Sequence, residues 1–285
     1  MKVLLIGANG QVGQAFLNDK KQHIIVHAYD HASLDVTNYA LLEKTFLEKS
    51  PDLVLNTSAY TNVDKAEKEK EQAFKVNCTG PENLAKLCAK ANTPLIHLST
   101  DYVFSGEKKE SYLETDETYP INYYGYTKRE GERAIQNSHK QHLILRVSAV
   151  FSAIKINFVK TLLRLAKEHS SLSVVNNQIT CPTAALDIAK ALHQIIQAIF
   201  LGETPWGIYH FCSAEAVSWY NFAKTIFEAA KLPIEITATD HYPCLAKRPA
   251  FSVLNCKKIH DHFSLTQPLW RTSLPSIINT LLRDT

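Results

Sequence analysis

Short apolar runs and segments of helical spacing take turns along the first half of the chain. The runs are "KVLLIG" (2–7), "HIIVHAYD" (23–30), "DLVLNTS" (52–58), "PLIHLST" (94–100) and "HLILRVSAVF" (142–151). They read as buried strands. Between them, "VGQAFLNDK", "YALLEKTFLEKS", the stretch 71–92 and the stretch opened by "NYYGYTKREGE" (122–132) repeat their apolar residues at helical intervals. This alternation predicts an α/β fold, a Rossmann-type doubly wound parallel sheet with helices on both faces. Beyond about residue 151 the pattern loosens. Helices recur at "NFVKTLLRLAKEH", "ALDIAKALHQIIQAIF" and "SWYNFAKTIFEAAKL", separated by short strands such as "LSVVN" and "GIYHFCS". The expected organisation is a dinucleotide-binding domain over 1–151 and a smaller α/β substrate lobe over 152–285, with some late segments returning to the first domain.

Composition narrows the choice of partners. The 285 residues are 45% hydrophobic and 21% charged, enough for a large core. The net charge of +3 comes without a basic block, so no nucleic-acid partner is expected. Six cysteines contain no C-x-x-C pair and several sit in apolar segments. That is the usage of reduced thiols in a cytoplasmic protein. The apolar run after Met1 is too short for a signal peptide, and no stretch reaches the length of a membrane span. His23, His27 and His31 have helical spacing but lie on a predicted strand, so no metal site is expected there.

Three of the nine glycines fall in "GANGQVG": Gly7, Gly10 and Gly13. They follow the first strand and open the first helix, where a pyrophosphate can approach the backbone and rest on the helix N-terminus. Gln11 and Val12 belong to the same loop. Asp30 ends the second strand, where a carboxylate can accept from an adenosine ribose hydroxyl and repel a 2′-phosphate. The expected cofactor is NADH or NADPH, with NADH favoured. Ser99, Thr100 and Asp101 end another strand, the edge at which parallel sheets bind ligands. Tyr124 and Lys128 stand four residues apart, on one face of a helix. An ammonium beside a phenol lowers the phenol's pKa and fits it for proton transfer. Alone, the stretch reads equally well as a surface helix with an aromatic contact.

Taken together, these segments resemble the extended short-chain dehydrogenase/reductase family, and most closely its dTDP-4-dehydrorhamnose reductase branch. "LDVTN" (34–38), "PDLVLNTSAYTNVDKAEKEKEQAFKVN" (51–77), "STDYVFSG", "YPINYYGYTKREGE", "NNQITCPT" and "KRPAFSVL" carry the resemblance along with the glycine loop. It implies catalysis by Thr100, Tyr124 and Lys128. Tyr124 would protonate the oxygen of a sugar C4 ketone, Thr100 would bond the same oxygen, and Lys128 would hold the nicotinamide ribose. It implies that Asp35, Val36, Ala59, Tyr60 and Thr61 line the cofactor site. It implies that Thr100, Asp101, Ala149, Asn157, Gln178 and Arg248 face a dTDP-sugar, in nucleotide-sugar and cell-surface polysaccharide biosynthesis.

The chain is expected to be a monomer or homodimer. Some family members build a dimer around magnesium with a glutamate after the glycine loop; this chain has Ala15 there. Ala149 replaces the family's tryptophan, which implies an altered or widened sugar pocket. Two other readings share the fold: a sugar-nucleotide epimerase or dehydratase, and a non-catalytic regulatory subunit that binds a dinucleotide. Thr100-Asp101-Tyr102 lacks the Asp-Glu pair of the dehydratases.

Overall fold

The computed structural model describes residues 1–283; the last two positions of the expected substrate lobe lie outside the described residues. Six strands form one parallel sheet: β1 (Lys2–Ile6), β2 (Ile25–Tyr29), β3 (Leu53–Asn56), β4 (Leu95–Thr100), β5 (His142–Val147) and β6 (Gly207–Phe211). Their spatial order is β6-β5-β4-β3-β1-β2. The chain reverses its direction of travel across the sheet between β1 and β3, which opens a crevice at the strands' carboxyl ends.

Every residue of β3, β4 and β5 is buried, because helices cover both faces. On one face α1 (Gln11–Asn18) packs beside the later helix Ala185–Phe200, over Leu5, Leu55, Ile96 and Leu145. On the other, α2 (Tyr39–Lys49), α3 (Gly80–Ala91) and α4 (Tyr123–Ser138) cover Leu4, Ile6, Val54 and Ile144. A separate core joins helices Phe158–Glu168, Trp219–Ala230 and Trp270–Arg283 through Phe151, Leu162, Phe222, Phe227 and Trp270. No helix among the described residues is long and apolar enough to cross a membrane. All six cysteines are free thiols.

Two elements differ from the sequence pattern, each for a local reason. The run 142–151 reads as one strand but breaks after Val147. Ala149 adopts a left-handed φ of 43°, and Val150–Phe151 pairs instead with Thr183–Ala184. The helix expected over 71–92 contains a π-helical turn, Lys75–Thr79. There the Asn77 amide bonds the Tyr60 backbone on both sides (2.8 and 3.0 Å) and the Thr127 hydroxyl (3.0 Å). Single π-turns inside helices recur at functional sites.

A buried ion pair fixes α4 on the sheet. Glu132 of α4 takes both the Nε and the Nη2 of Arg146 on β5, at 2.9 and 2.6 Å, and each side chain is 2% exposed. The guanidinium also lies 5.0 Å over the Phe104 ring. Removing one partner of such a pair strands the other charge in the core. Glu132→Ala is therefore expected to lower the unfolding free energy by about 3–5 kcal/mol, whereas Glu132→Met with Arg146→Met should recover most of it. Urea denaturation followed by circular dichroism measures both; equal losses in the single and double variants would contradict the argument.

Candidate active site

The glycine loop is shaped for close approach. Gly7 has a φ of 85°, and a Cβ there would strike the backbone of Ser58. The amides of Gly7 and Ala8 both donate to the Tyr29 carbonyl at 2.9 Å, which ties the loop to the end of β2. Gly10 caps α1 without a side-chain hydrogen bond, and no acidic residue occupies the first turn. The first amides of α1 are therefore free of protein side chains and available to an anion. Gly13 is buried within the helix, as is Ala15. Gln11 is engaged elsewhere: its Oε1 accepts from Ser152 Oγ (2.8 Å) and Asn157 Nδ2 (3.0 Å).

A cavity of about 700 Å³ runs along the carboxyl ends of the strands. It starts at Gly7, Gly10, Gln11 and Val12, passes Asp30 and Val36, then Ala59, Tyr60 and Thr61, and ends at Tyr124 and Lys128. Its size suits a cofactor. Asp30 accepts from Asn9 Nδ2 and from the Ser33 amide and hydroxyl. The Ser33 hydrogen bonds hold its carboxyl below the ordinary value. His31 also lines the cavity. Asp35 does not; its carboxylate instead caps Thr37 through the amide and hydroxyl, each at 2.9 Å. The residues present fit a nicotinamide dinucleotide: open amides for its phosphates, a carboxylate at the β2 end for a ribose, and an apolar wall between.

Asn122 starts α4 by accepting from the Gly125 amide (2.8 Å), and its own amide holds the Lys247 carbonyl (2.9 Å). Gly125 lets the helix pass so close to the end of β4 that a Cβ would strike the Tyr102 carbonyl. This places Tyr124 against Thr100, with the Tyr102 ring edge-on at 6.0 Å. The expectation that Lys128 lowers the Tyr124 pKa is corrected here. Burial pushes the phenol up to about 12, with the Thr100 hydrogen bond acting the other way. The Lys128 amine points down into the sheet, 2.7 Å from the Leu98 carbonyl and 3.0 Å from His97 Nε2. It is 2% exposed, and burial lowers its own pKa to about 8. Tyr123 lies under the Lys70 ammonium, and Tyr126 under Arg129.

The residues expected to face the sugar are placed variously. Thr100 is buried behind Tyr124 and caps the turn Asp101–Val103 by accepting from the Tyr102 amide (3.1 Å). Asp101 is 2% exposed and accepts from the hydroxyls of Thr100 (3.0 Å) and Ser148 (2.8 Å). Burial pushes its carboxyl up to about 6, against the hydrogen bonds from Ser252, Ser148 and Thr100. Ala149 lies outside the cavity wall, between β5 and Val150. Asn157 caps helix Phe158–Glu168, accepting from the Lys160 amide (3.2 Å). The Gln178 carbonyl accepts from the Trp219 amide (3.3 Å). Arg248 pairs with Asp64 at 2.9 Å and ties the late segment to the region after β3. Sequence reading passed over Asn56 and His97, which lie beneath Lys128. Their signal is a polar residue inside an otherwise apolar strand, "LVLN" and "LIHLST".

Fold and site together are those of an extended short-chain dehydrogenase/reductase, an oxidoreductase that uses a nicotinamide cofactor. Residues 1–283 match the family model described as "RmlD substrate binding domain", and the chain belongs to that family, the dTDP-4-dehydrorhamnose reductase branch. It is 41% identical to the dTDP-4-dehydrorhamnose reductase of Aggregatibacter actinomycetemcomitans, over 97% of this chain and 98% of that one. Among solved structures it resembles a dTDP-4-dehydrorhamnose reductase from Clostridium acetobutylicum, with a TM-score of 0.93, 35% identity and coverage of 99% and 100% of the two chains. It also resembles the Bacillus anthracis reductase in complex with NADP, with a TM-score of 0.91, 31% identity and coverage of 100% and 99%.

The Asp101 carboxyl provides a test of this geometry. Its native pKa stands above the unfolded value, so its contribution to stability is present below about pH 3.8 and lost as the pH rises through about 6. Asp101→Asn should therefore gain stability relative to wild type between pH 4 and pH 7. Thermal melts of both proteins across that range measure it; a constant difference would place the carboxylate in water.

Proposed function

We propose that this protein reduces the C4 ketone of a dTDP-4-keto-6-deoxy-sugar with a reduced nicotinamide cofactor, in the manner of dTDP-4-dehydrorhamnose to dTDP-L-rhamnose. The observation that carries this reading is the placement of Tyr124 and Lys128 at one end of the cavity, with Thr100 buried directly behind Tyr124, in a chain related to such reductases over its full length. The glycine loop and the first turn of α1 would hold the cofactor's phosphates, Asp30 its adenosine ribose, and Lys128 its nicotinamide ribose. When bound, the cofactor supplies the hydride. Tyr124 donates its phenolic proton to the oxygen that develops at C4. Thr100 lies against the phenol, and the buried Asp101 holds Thr100 by accepting from its hydroxyl. A phenol held near 12 stays protonated until an alkoxide forms, which suits a proton donor better than a resting base. Free thiols support a reducing, cytosolic setting.

Incubation with dTDP-4-dehydro-6-deoxy-L-sugar and NADH or NADPH, followed by loss of reduced-cofactor absorbance, tests the activity; no turnover with either cofactor would refute it. Tyr124→Phe should lower kcat by about 10²–10⁴-fold and leave the Kd for cofactor nearly unchanged. Near wild-type turnover in that variant would remove Tyr124 from the chemistry.

Asp30 supports a preference for NADH, since its carboxylate meets a hydroxyl favourably and a phosphate unfavourably. Its exposure and its contacts with Asn9 and Ser33 leave the carboxylate charged. Asp30→Ala should shift the ratio of NADH to NADPH affinities by about tenfold toward NADPH. Fluorescence titration of each cofactor measures the ratio; an unshifted ratio would place the ribose away from Asp30.

A further inference from the structure

Beneath Lys128 lies a chain of buried polar groups whose proton positions can be worked out. Asn56 ends β3 and faces His97 across the β3–β4 pair; both are fully buried. Asn56 Oδ1 accepts from the Ser58 amide at 3.0 Å and from the Ser58 hydroxyl at 2.6 Å. A backbone amide can only donate, so this end of the Asn56 side chain must be its oxygen. The NH₂ end therefore faces His97 Nδ1, at 3.0 Å. Nδ1 must accept, and the single proton of the neutral ring resides on Nε2. An imidazolium would set two donors against each other, and burial keeps His97 well below its ordinary value.

The Nε2–H lies 3.0 Å from Lys128 Nζ. Lys128 also donates to the Leu98 carbonyl at 2.7 Å. An ammonium has no lone pair with which to accept from Nε2–H; a neutral amine has one. We propose that Asn56 and His97 are positioning residues for Lys128: they hold it as a neutral amine docked between His97 Nε2 and the Leu98 carbonyl, and its protonation releases it toward the cavity. The step is a simple uptake: the amine gains one proton from solvent hydronium, which becomes water, and gives up its hydrogen bonds with His97 and the Leu98 carbonyl.

The surrounding charges allow this balance. On α4 itself Glu132 favours the ammonium, but both its oxygens are engaged by Arg146 from β5. Tyr124, one turn earlier on the same helix, is neutral, as is Cys78 on the adjoining π-turn, whose thiol burial pushes up to about 11. At the end of β4, Asp101 is spent on Thr100, Ser148 and Ser252. Burial works in the same direction as the His97 proton and lowers Lys128 to about 8. The inference adds to the reductase reading the control of a residue that the reading uses. Its tests do not need turnover, so the two can fail separately.

Asn56→Asp should reverse the chain. A carboxylate at position 56 keeps the oxygen that Ser58 needs and offers a second acceptor to His97 Nδ1. The ring proton then moves to Nδ1, and Nε2 accepts from a lysine ammonium. Histidine-selective ¹⁵N NMR reads the tautomer directly, with the His97 signals identified by their loss in His97→Gln. Wild type should show a protonated Nε2 and a bare Nδ1 near neutral pH, and Asn56→Asp the opposite. The pH midpoint at which NADH affinity changes should rise by about one unit or more in Asn56→Asp, as expected when a partner favours the charged form. A bare Nε2 in wild type would overturn the proposal, as would an unmoved midpoint in a folded Asn56→Asp protein. If that variant does not fold, the wild-type spectrum alone decides.

Discussion

The site depends on how closely α4 can approach the carboxyl end of β4. Gly125 removes the Cβ that would strike the Tyr102 carbonyl, and Gly131, a turn and a half later, does the same against the Asn77 carbonyl. Only with both contacts made can the Tyr124 phenol reach Thr100 while Lys128, four residues on, enters the sheet beside His97. The Glu132–Arg146 pair holds the helix at that separation from below, and the Asn122 amide holds it from above through Lys247. Neither anchor lines the cavity. The precision of the site is thus carried by contacts that take no part in chemistry.

This closeness imposes a second constraint. Five polar side chains of β3, β4, α4 and the turn after β4, namely Asn56, His97, Thr100, Asp101 and Lys128, are buried. Each must find partners inside the protein. The structure answers with two separate systems. On one side Asp101 collects the hydroxyls of Thr100 and Ser148, with Thr180 next in line at 2.9 Å. On the other, Lys128 rests on His97, Asn56 and Ser58. Tyr124 stands against the first system, next to Thr100. Burial is the main influence on its phenol.

Much of this was legible in the sequence, because the strong signals are local. A four-residue apolar run ending in Gly7 announces a strand and a tight turn. The i, i+4 spacing of Tyr124 and Lys128 announces a shared helix face. What spacing does not contain is the direction of a long side chain. Lys128 shares a face with Tyr124 and still turns its amine to the Leu98 carbonyl, because that carbonyl and His97 are the partners in reach. Asp35 and Asn157 show the same limit in short side chains: an Asx turn to Thr37 and a helix cap at Lys160 claim them first. The π-turn at Asn77 and the break at Ala149 depend on contacts with Tyr60, Thr127 and Thr183, all distant in sequence.

The link between the two halves of the molecule is equally non-local. Gln11 sits in the first turn of α1, where an anion would be held. Its Oε1 accepts from Ser152 and Asn157, and its Nε2 lies 3.4 Å from the Val150 carbonyl. Asn157 in turn starts the helix Phe158–Glu168, whose Phe158 packs on Trp219 and Phe222 of the second core. The first turn of α1 is thus joined to the second core through one amide and one helix cap. Lys155 and Ile156, on the cavity wall between these points, lie in the same segment, and Lys155 adopts a left-handed φ of 57°. A non-glycine residue in that conformation persists where its surroundings hold it. Here those surroundings include the Gln11, Ser152 and Asn157 hydrogen bonds, so this part of the cavity wall is joined to the first turn of α1 by the same three side chains.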